Sequence, residues 1–246
     1  MTVSCARCWR EKKALIFGIA DEESIAYSCA KAFRSLGADL AVSWLNEKAR
    51  GFVEPLAQEL GASITGGVDV SIPGQLEAMF DRVRSQWGRL DILVHSIAFA
   101  PKQDLQGGLL DCSAEGFAKA MDISCHSFVR MAKLAAPLMS EGGAMFAMSY
   151  YGANRVVPNY NVMGPVKAAL EAAWRYLAYE LGPREIRVHA ISPRSAQDAG
   201  GVGPEAFRAH AERSRAQGAD GRAYRHHGRG LHVRLSGDAF RKANDR

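Results

Sequence analysis

Two tyrosines and a lysine stand at spacings that chemistry can use. Ser149-Tyr150-Tyr151 is followed by Asn159-Tyr160-Asn161-Val162-Met163-Gly164-Pro165-Val166-Lys167. Tyr160 and Lys167 are two helical turns apart, so a helix starting near Tyr160 would carry both on one face. An ammonium near a phenol, with a cofactor sugar between them, suits a site that must hold a proton donor against a developing oxyanion. A surface Tyr and Lys on an amphipathic helix would show the same spacing. The pair therefore takes its meaning from the elements that position it.

Those elements alternate. Ala14-Leu15-Ile16-Phe17, Leu40 to Trp44, Ser63 to Thr65, Ile92 to His95, Ala144 to Met148 and Ile186 to Ile191 are short apolar runs flanked by turn residues. Helix-length stretches lie between them, such as Ile25 to Leu36, Gln75 to Trp87, Ala114 to Leu138 and Val166 to Leu181. Six nearly unbroken apolar strands separated by helices predict an α/β fold, a doubly wound parallel sheet covered on both faces. Ligands of such sheets bind at the carboxyl ends of the strands.

The first strand runs into Gly18-Ile19-Ala20-Asp21-Glu22-Glu23-Ser24-Ile25-Ala26. Gly18 permits a tight turn and close backbone approach, and Ser24 at the helix start offers a hydroxyl and N–H groups to a pyrophosphate. The three-glycine dinucleotide fingerprint is absent, so an ordinary strand-to-helix turn capped by Ser24 fits this stretch as well. The acidic Asp21 to Glu23 would face solvent, away from a diphosphate.

Composition bounds the rest. A chain of 246 residues with 48% hydrophobic content can bury a substantial core. It shows no 18-residue apolar run and no secretory h-region, which reads as a cytoplasmic protein without a membrane span. Five scattered cysteines argue against a disulfide framework, and the lone Cys5-Ala6-Arg7-Cys8 pair lacks the second pair a zinc site needs, so no metal is expected. Residues 1–193 hold 20 Lys+Arg against 20 Asp+Glu, while residues 194–246 hold 11 against 6. The whole basic excess of +5 thus sits in the last 53 residues, where Val202, Phe207, Leu231, Val233, Leu235 and Phe240 are the only large apolar residues apart from Tyr224. So few anchors predict no cooperative fold for that segment. The domain reading is a Rossmann-type unit over 1–193 and an Arg-rich tail over 194–246. The tail's charges show no helical face and no interleaved aromatics beyond Tyr224, which argues against nucleic-acid binding.

Taken together, Gly18-x5-Ser24-Ile25-Ala26, Asp69-Val70, Val94-His95-Ser96-Ile97-Ala98-Phe99-Ala100-Pro101, Ser149-Tyr150 and Pro158-Asn159-Tyr160-Asn161-Val162-Met163-Gly164 with Lys167 resemble the NADH-dependent enoyl-acyl-carrier-protein reductases of bacterial fatty-acid synthesis, a branch of the short-chain dehydrogenases. The resemblance covers Lys12 to Ser192. Most short-chain dehydrogenases space the pair as Tyr-x3-Lys, whereas Gly164 occupies that position here and the Tyr-x6-Lys spacing separates enoyl from keto reduction. The resemblance implies that Tyr160 hydrogen-bonds the thioester carbonyl oxygen as an enolate forms, that Lys167 holds the nicotinamide ribose, and that Tyr150 is a second phenol lining the acyl site. It implies further that Gly18, Ser24 and Ile25 hold phosphates and ribose, Asp69 and Val70 the adenine, and Ile97 the nicotinamide side, with Ala100 touching substrate. NADH as cofactor, an acyl carrier protein as partner and a homotetramer are its remaining implications.

Two departures qualify it. Leu45 stands where the family often has Gln in the adenosine pocket, beside Ser43, Trp44 and Asn46, with Lys48 and Arg50 as the nearest cations. After Pro193 the family's substrate loop, covering helices and seventh strand are missing from six readable strands, which would leave the edge of the sixth strand unpaired. Back-translated with permitted codons and read one base later, Arg194 to Gly203 gives Gly-Pro-Leu-Lys-Thr-Arg-Ala-Ala-Ser-Gly, and Tyr224 to Leu231 gives Ile-Asp-Ile-Met-Asp-Val-Gly-Phe in the same phase. A single-base frameshift accounts for both. Three readings follow: an NADH-dependent enoyl reductase, a non-catalytic or unstable remnant of one, and, least, a 3-oxoacyl reductase.

Overall fold

In the computed structural model the described residues are 10–192 together with Val233–Arg234. Strands β1 (Lys13–Phe17), β2 (Asp39–Trp44), β3 (Ile64–Gly67) and β4 (Ile92–His95) alternate with helices α1 (Ile25–Ser35), α2 (Glu47–Glu59) and α3 (Gln75–Trp87). A one-turn helix α4 (Lys102–Leu105) and helices α5 (Ala114–Met121) and α6 (Ser127–Ala135) lead to β5 (Gly143–Met148), α7 (Met163–Leu181) and β6 (Ile186–Ile191). The sheet order is β3-β2-β1-β4-β5-β6, with six parallel strands. This is the doubly wound order whose strand carboxyl ends carry dinucleotides.

Burial explains why the strand runs were legible. Ala14, Leu15, Ile16 and Phe17 are fully buried in consecutive positions, as are Leu40, Ala41 and Val42. A strand covered on both faces cannot alternate polar and apolar residues. Helix α1 instead buries one stripe, Ala26, Tyr27, Cys29 and Ala30, and α3 buries Leu76, Met79, Phe80 and Val83. Phe80 stacks on Phe17 with ring centroids 6.2 Å apart, so helix and strand share aromatic packing. Asn46 starts α2 by accepting the Ala49 N–H at 3.0 Å, a side-chain cap of an otherwise orphan donor.

Three expectations need correction. The run predicted as one helix from Ala114 to Leu138 is α5 and α6 joined by a π-helical stretch, Asp122–His126, and closed by a 3-10 turn, Ala136–Leu138. Helix α7 begins at Met163, so Tyr160 stands in the turn before it and the shared helical face does not exist. The edge of β6 is paired: Val233–Arg234 forms a short strand, β7, antiparallel to Ala190 and Ile191. The division at Pro193 and the remaining tail, like Cys5 and Cys8, lie outside the described residues.

The chain forms two compact units. Among the described residues one comprises 10–97 with His126–Ala147 and Trp174–Val188, and the other comprises Ala98–Cys125, Met148–Ala173, 189–192 and Val233–Arg234. Among the described residues no helix is long and apolar enough to cross a membrane.

Candidate active site

The second unit holds both phenols and the lysine. Lys167 lies in the second turn of α7, 4% exposed, and its ammonium donates to the Met148 carbonyl at 2.7 Å. Tyr150 lies just past the end of β5, and Tyr160 in the turn before α7. The two rings meet edge to face, with centroids 4.6 Å apart and planes at 64°. Both are buried. Of the three expected side chains the two phenols are in contact, and a turn rather than a helix face delivers Tyr160.

Local chemistry explains that turn. Asn159 and Asn161, on either side of Tyr160, have φ of 64° and 41°, a left-handed region that asparagine tolerates better than most residues. The Asn161 side chain donates to the carbonyls of Leu105 and Gly107, both at 2.6 Å, which ties the Tyr160 turn to the segment after α4. Gly152 sits where the phenols cross: a Cβ there would lie 2.5 Å from Tyr160 Cδ1 and 3.1 Å from Tyr150 Cδ1. Only a residue without a side chain lets both rings pack at this point.

Burial sets the protonation of the pair. Desolvation, with Tyr150 adding to it, pushes the Tyr160 phenol well above its ordinary value, so the group stays an O–H donor. Desolvation pulls the Lys167 ammonium down from 10.5 to about 8, against a smaller opposing effect of Cys125. Lys167 is thus charged in most molecules at neutral pH, and its bond to Met148 uses one of three ammonium donors.

Glu171, one turn beyond Lys167, was missed by the sequence reading. Its Oε1 accepts from Ser149 Oγ at 2.6 Å and its Oε2 from Asn154 Nδ2 at 3.1 Å. The four-residue spacing from Lys167 was the available signal.

The expected dinucleotide residues of the first unit follow the carboxyl ends of four neighbouring strands. Gly18 follows β1 with φ of 97°, and a Cβ there would fall 2.0 Å from the Ser96 carbonyl oxygen, so this turn requires glycine on both counts. Ser24 stands at the N-terminus of α1, where its side chain makes no cap bond; its hydroxyl donates to the Asp21 carbonyl at 2.7 Å. The N–H groups of the first turn, beginning at Ile25, thus donate no bond to that side chain. Leu45, after β2, is 54% exposed. Asp69, after β3, accepts from the Ser71 N–H at 2.8 Å, and Val70 is buried beside it. Ile97, after β4, is half-buried. In the second unit Ala100 is buried. Of the acidic stretch expected to face solvent, Glu22 and Glu23 are exposed and Asp21 is half-buried. Arg50 is held by Glu54 through two bonds of 3.1 and 3.2 Å and by Glu47 at 3.3 Å, while its guanidinium lies 5.6 Å from the Trp44 ring centroid.

The family model described as enoyl-(acyl carrier protein) reductase matches residues 18–227. The chain is 46% identical over 194 residues to enoyl-acyl-carrier-protein reductase (NADH) 1 of Rhizobium meliloti, covering 78% of this chain and 71% of the relative. The crystal structure of the NADH enoyl-acyl-carrier-protein reductase of Aquifex aeolicus superposes with a TM-score of 0.73 at 45% identity, over 75% of this chain and 73% of that one. The Anaplasma phagocytophilum reductase, solved in complex with NAD, gives 0.72 at 46% identity over 74% and 70%. The chain belongs to the enoyl-acyl-carrier-protein reductase family.

Proposed function

We propose that this protein reduces the trans-2 double bond of enoyl thioesters carried on acyl carrier protein, with NADH, in fatty-acid biosynthesis. The observation that carries the reading is the buried Tyr150, Tyr160 and Lys167 set in a member of this family. NADH, when bound, supplies the hydride that adds to the β-carbon of the enoyl chain. The residues present fit such a cofactor. Gly18, Ser24 and Ile25 would hold its phosphates and ribose, Leu45, Asp69 and Val70 its adenosine end, Ile97 its nicotinamide side, and Lys167 the nicotinamide ribose through the donors that Met148 leaves over. The engagement of Arg50 by Glu47 and Glu54 disfavours its use on a 2′-phosphate and supports NADH over NADPH.

Tyr160 then acts on the substrate. Its O–H, kept protonated by burial, donates to the thioester carbonyl oxygen while negative charge collects there. The donor is fixed beforehand by Asn159, Asn161 and the packing of Tyr150, so little reorganisation accompanies the reaction. Tyr150 and Ala100 line the acyl side. A homotetramer and a cytoplasmic location belong to the same proposal.

We also propose that the coding frame shifts by one base after Pro193. The ordered recovery of family-like sequence in one phase supports this, and the chain as written would then be a weak catalyst. Reduction of crotonyl thioesters by the frame-restored chain tests the function. Activity on acetoacetyl thioesters without activity on enoyl thioesters would overturn it.

A further inference from the structure

We propose that Glu171 is a positioning residue that clamps the turn carrying Tyr150 onto the helix carrying Lys167. The inference rests on the reductase reading of this site and adds a residue to it. Tyr150 sits between Ser149 and Asn154 on a tight turn whose internal bonds run from the Ala153 N–H to the Tyr150 carbonyl at 2.9 Å and from the Asn154 and Arg155 N–H groups to Tyr151 at 3.1 and 3.2 Å. The Glu171 carboxylate takes one bond from each flank of that turn, Ser149 at 2.6 Å and Asn154 at 3.1 Å. One turn earlier on α7, Lys167 holds the Met148 carbonyl at 2.7 Å. Helix α7 therefore grips the end of β5 and the following turn at three anchor points: Met148, Ser149 and Asn154.

The consequence falls on Tyr160. Tyr150 packs its ring edge to face against Tyr160, and Gly152 of the same turn touches Tyr160 so closely that no side chain fits between them. A turn free to swing would release the ring that holds the proton donor. Ser149 is buried, so deleting its acceptor strands a hydroxyl inside the protein and favours rearrangement of the turn. The clamp needs one hydrogen bond to each flank and not a charge. A glutamine keeps one acceptor for Ser149 and meets Asn154 once the exposed Asn154 amide turns over.

The test uses the full chain in two readouts that need neither cofactor nor substrate, and so judge the clamp apart from the reductase reading. Hydrogen exchange reports the Ala153 to Arg155 amides, and NMR of ring-labelled tyrosine reports the Tyr150 to Tyr160 contact. In Glu171→Ala these amides should exchange at least tenfold faster and the Tyr160 ring signals should move toward those of exposed tyrosines. Glu171→Gln should restore both. Ser149→Ala should give a smaller change in the same direction, and Ser149→Ala combined with Glu171→Ala should be no worse than Glu171→Ala alone. If Glu171→Ala fails to fold, Asn154→Ala removes only the exposed arm and should still speed exchange several-fold. Unchanged exchange or unmoved ring signals in a folded Glu171→Ala protein, unchanged exchange in Asn154→Ala, or a glutamine variant that behaves like the alanine, would overturn the clamp.

Discussion

At the scale of single residues, Tyr160 and Lys167 are proposed to divide the work, and their burial gives each a separate test. In the frame-restored protein Tyr160→Phe should lower kcat by about 10²–10³-fold and leave NADH affinity nearly unchanged, because the hydroxyl acts on charge present only in the transition state. Steady-state kinetics beside a fluorescence titration of NADH checks this. Lys167 should show the reverse pattern. Its folded value of about 8 lies below the unfolded 10.5, so the unfolded chain holds more protons between those values and stability rises as pH climbs from about 8 toward 10.5. Below pH 8 the buried charge is fully present as a cost, on the order of 3 kcal/mol. Lys167→Met should therefore raise the thermal midpoint at neutral pH while abolishing tight NADH binding. In the unmutated protein NADH affinity should fall as pH rises through about 8, where the ammonium is lost. Tyr160 and Lys167 were legible because a seven-residue spacing and their chemical types survive in one dimension. Glu171 was not, since its partners Ser149 and Asn154 are 22 and 17 residues away in sequence and only folding brings them to it.

At the scale of elements, the crossing of the two phenols over Gly152 makes a sharp prediction. Gly152→Ala would place a methyl 2.5 Å from the Tyr160 ring, so the ring must shift. Overpacking of this kind costs about 1–3 kcal/mol. We expect a lowered thermal midpoint and at least a tenfold loss of kcat, with NADH affinity kept within a few-fold. The six strands were legible nearly to the residue because burial on both faces leaves unbroken apolar runs such as Ala14 to Phe17. The break at Asp122–His126 was not, because Ile123, Ser124 and Cys125 continue the buried stripe and neither glycine nor proline marks the wider turn. The start of α7 was misplaced for a related reason. Asn159 and Asn161 adopt positive φ, and the Asn161 side chain is tied to the carbonyls of Leu105 and Gly107 more than fifty residues earlier.

At the scale of the whole molecule, family membership and the composition of the last 53 residues pull in different directions. The residues proposed to hold cofactor and substrate all precede Pro193, yet the Arg-rich segment beyond it has too few apolar anchors to match the rest of the chain. The sequence predicted an unpaired β6 edge, and pairing of Val233–Arg234 with Ala190 and Ile191 covers two residues of it. Composition says nothing about such a pairing, because two strand residues leave no periodic signal. The most direct test of the central claim is the rate of NADH oxidation by the frame-restored chain with crotonyl and with acetoacetyl thioesters side by side. Rapid oxidation is expected with the enoyl thioester, none above background with the ketone, and a far lower enoyl rate for the chain as written. Oxidation with the acetoacetyl thioester alone would contradict it.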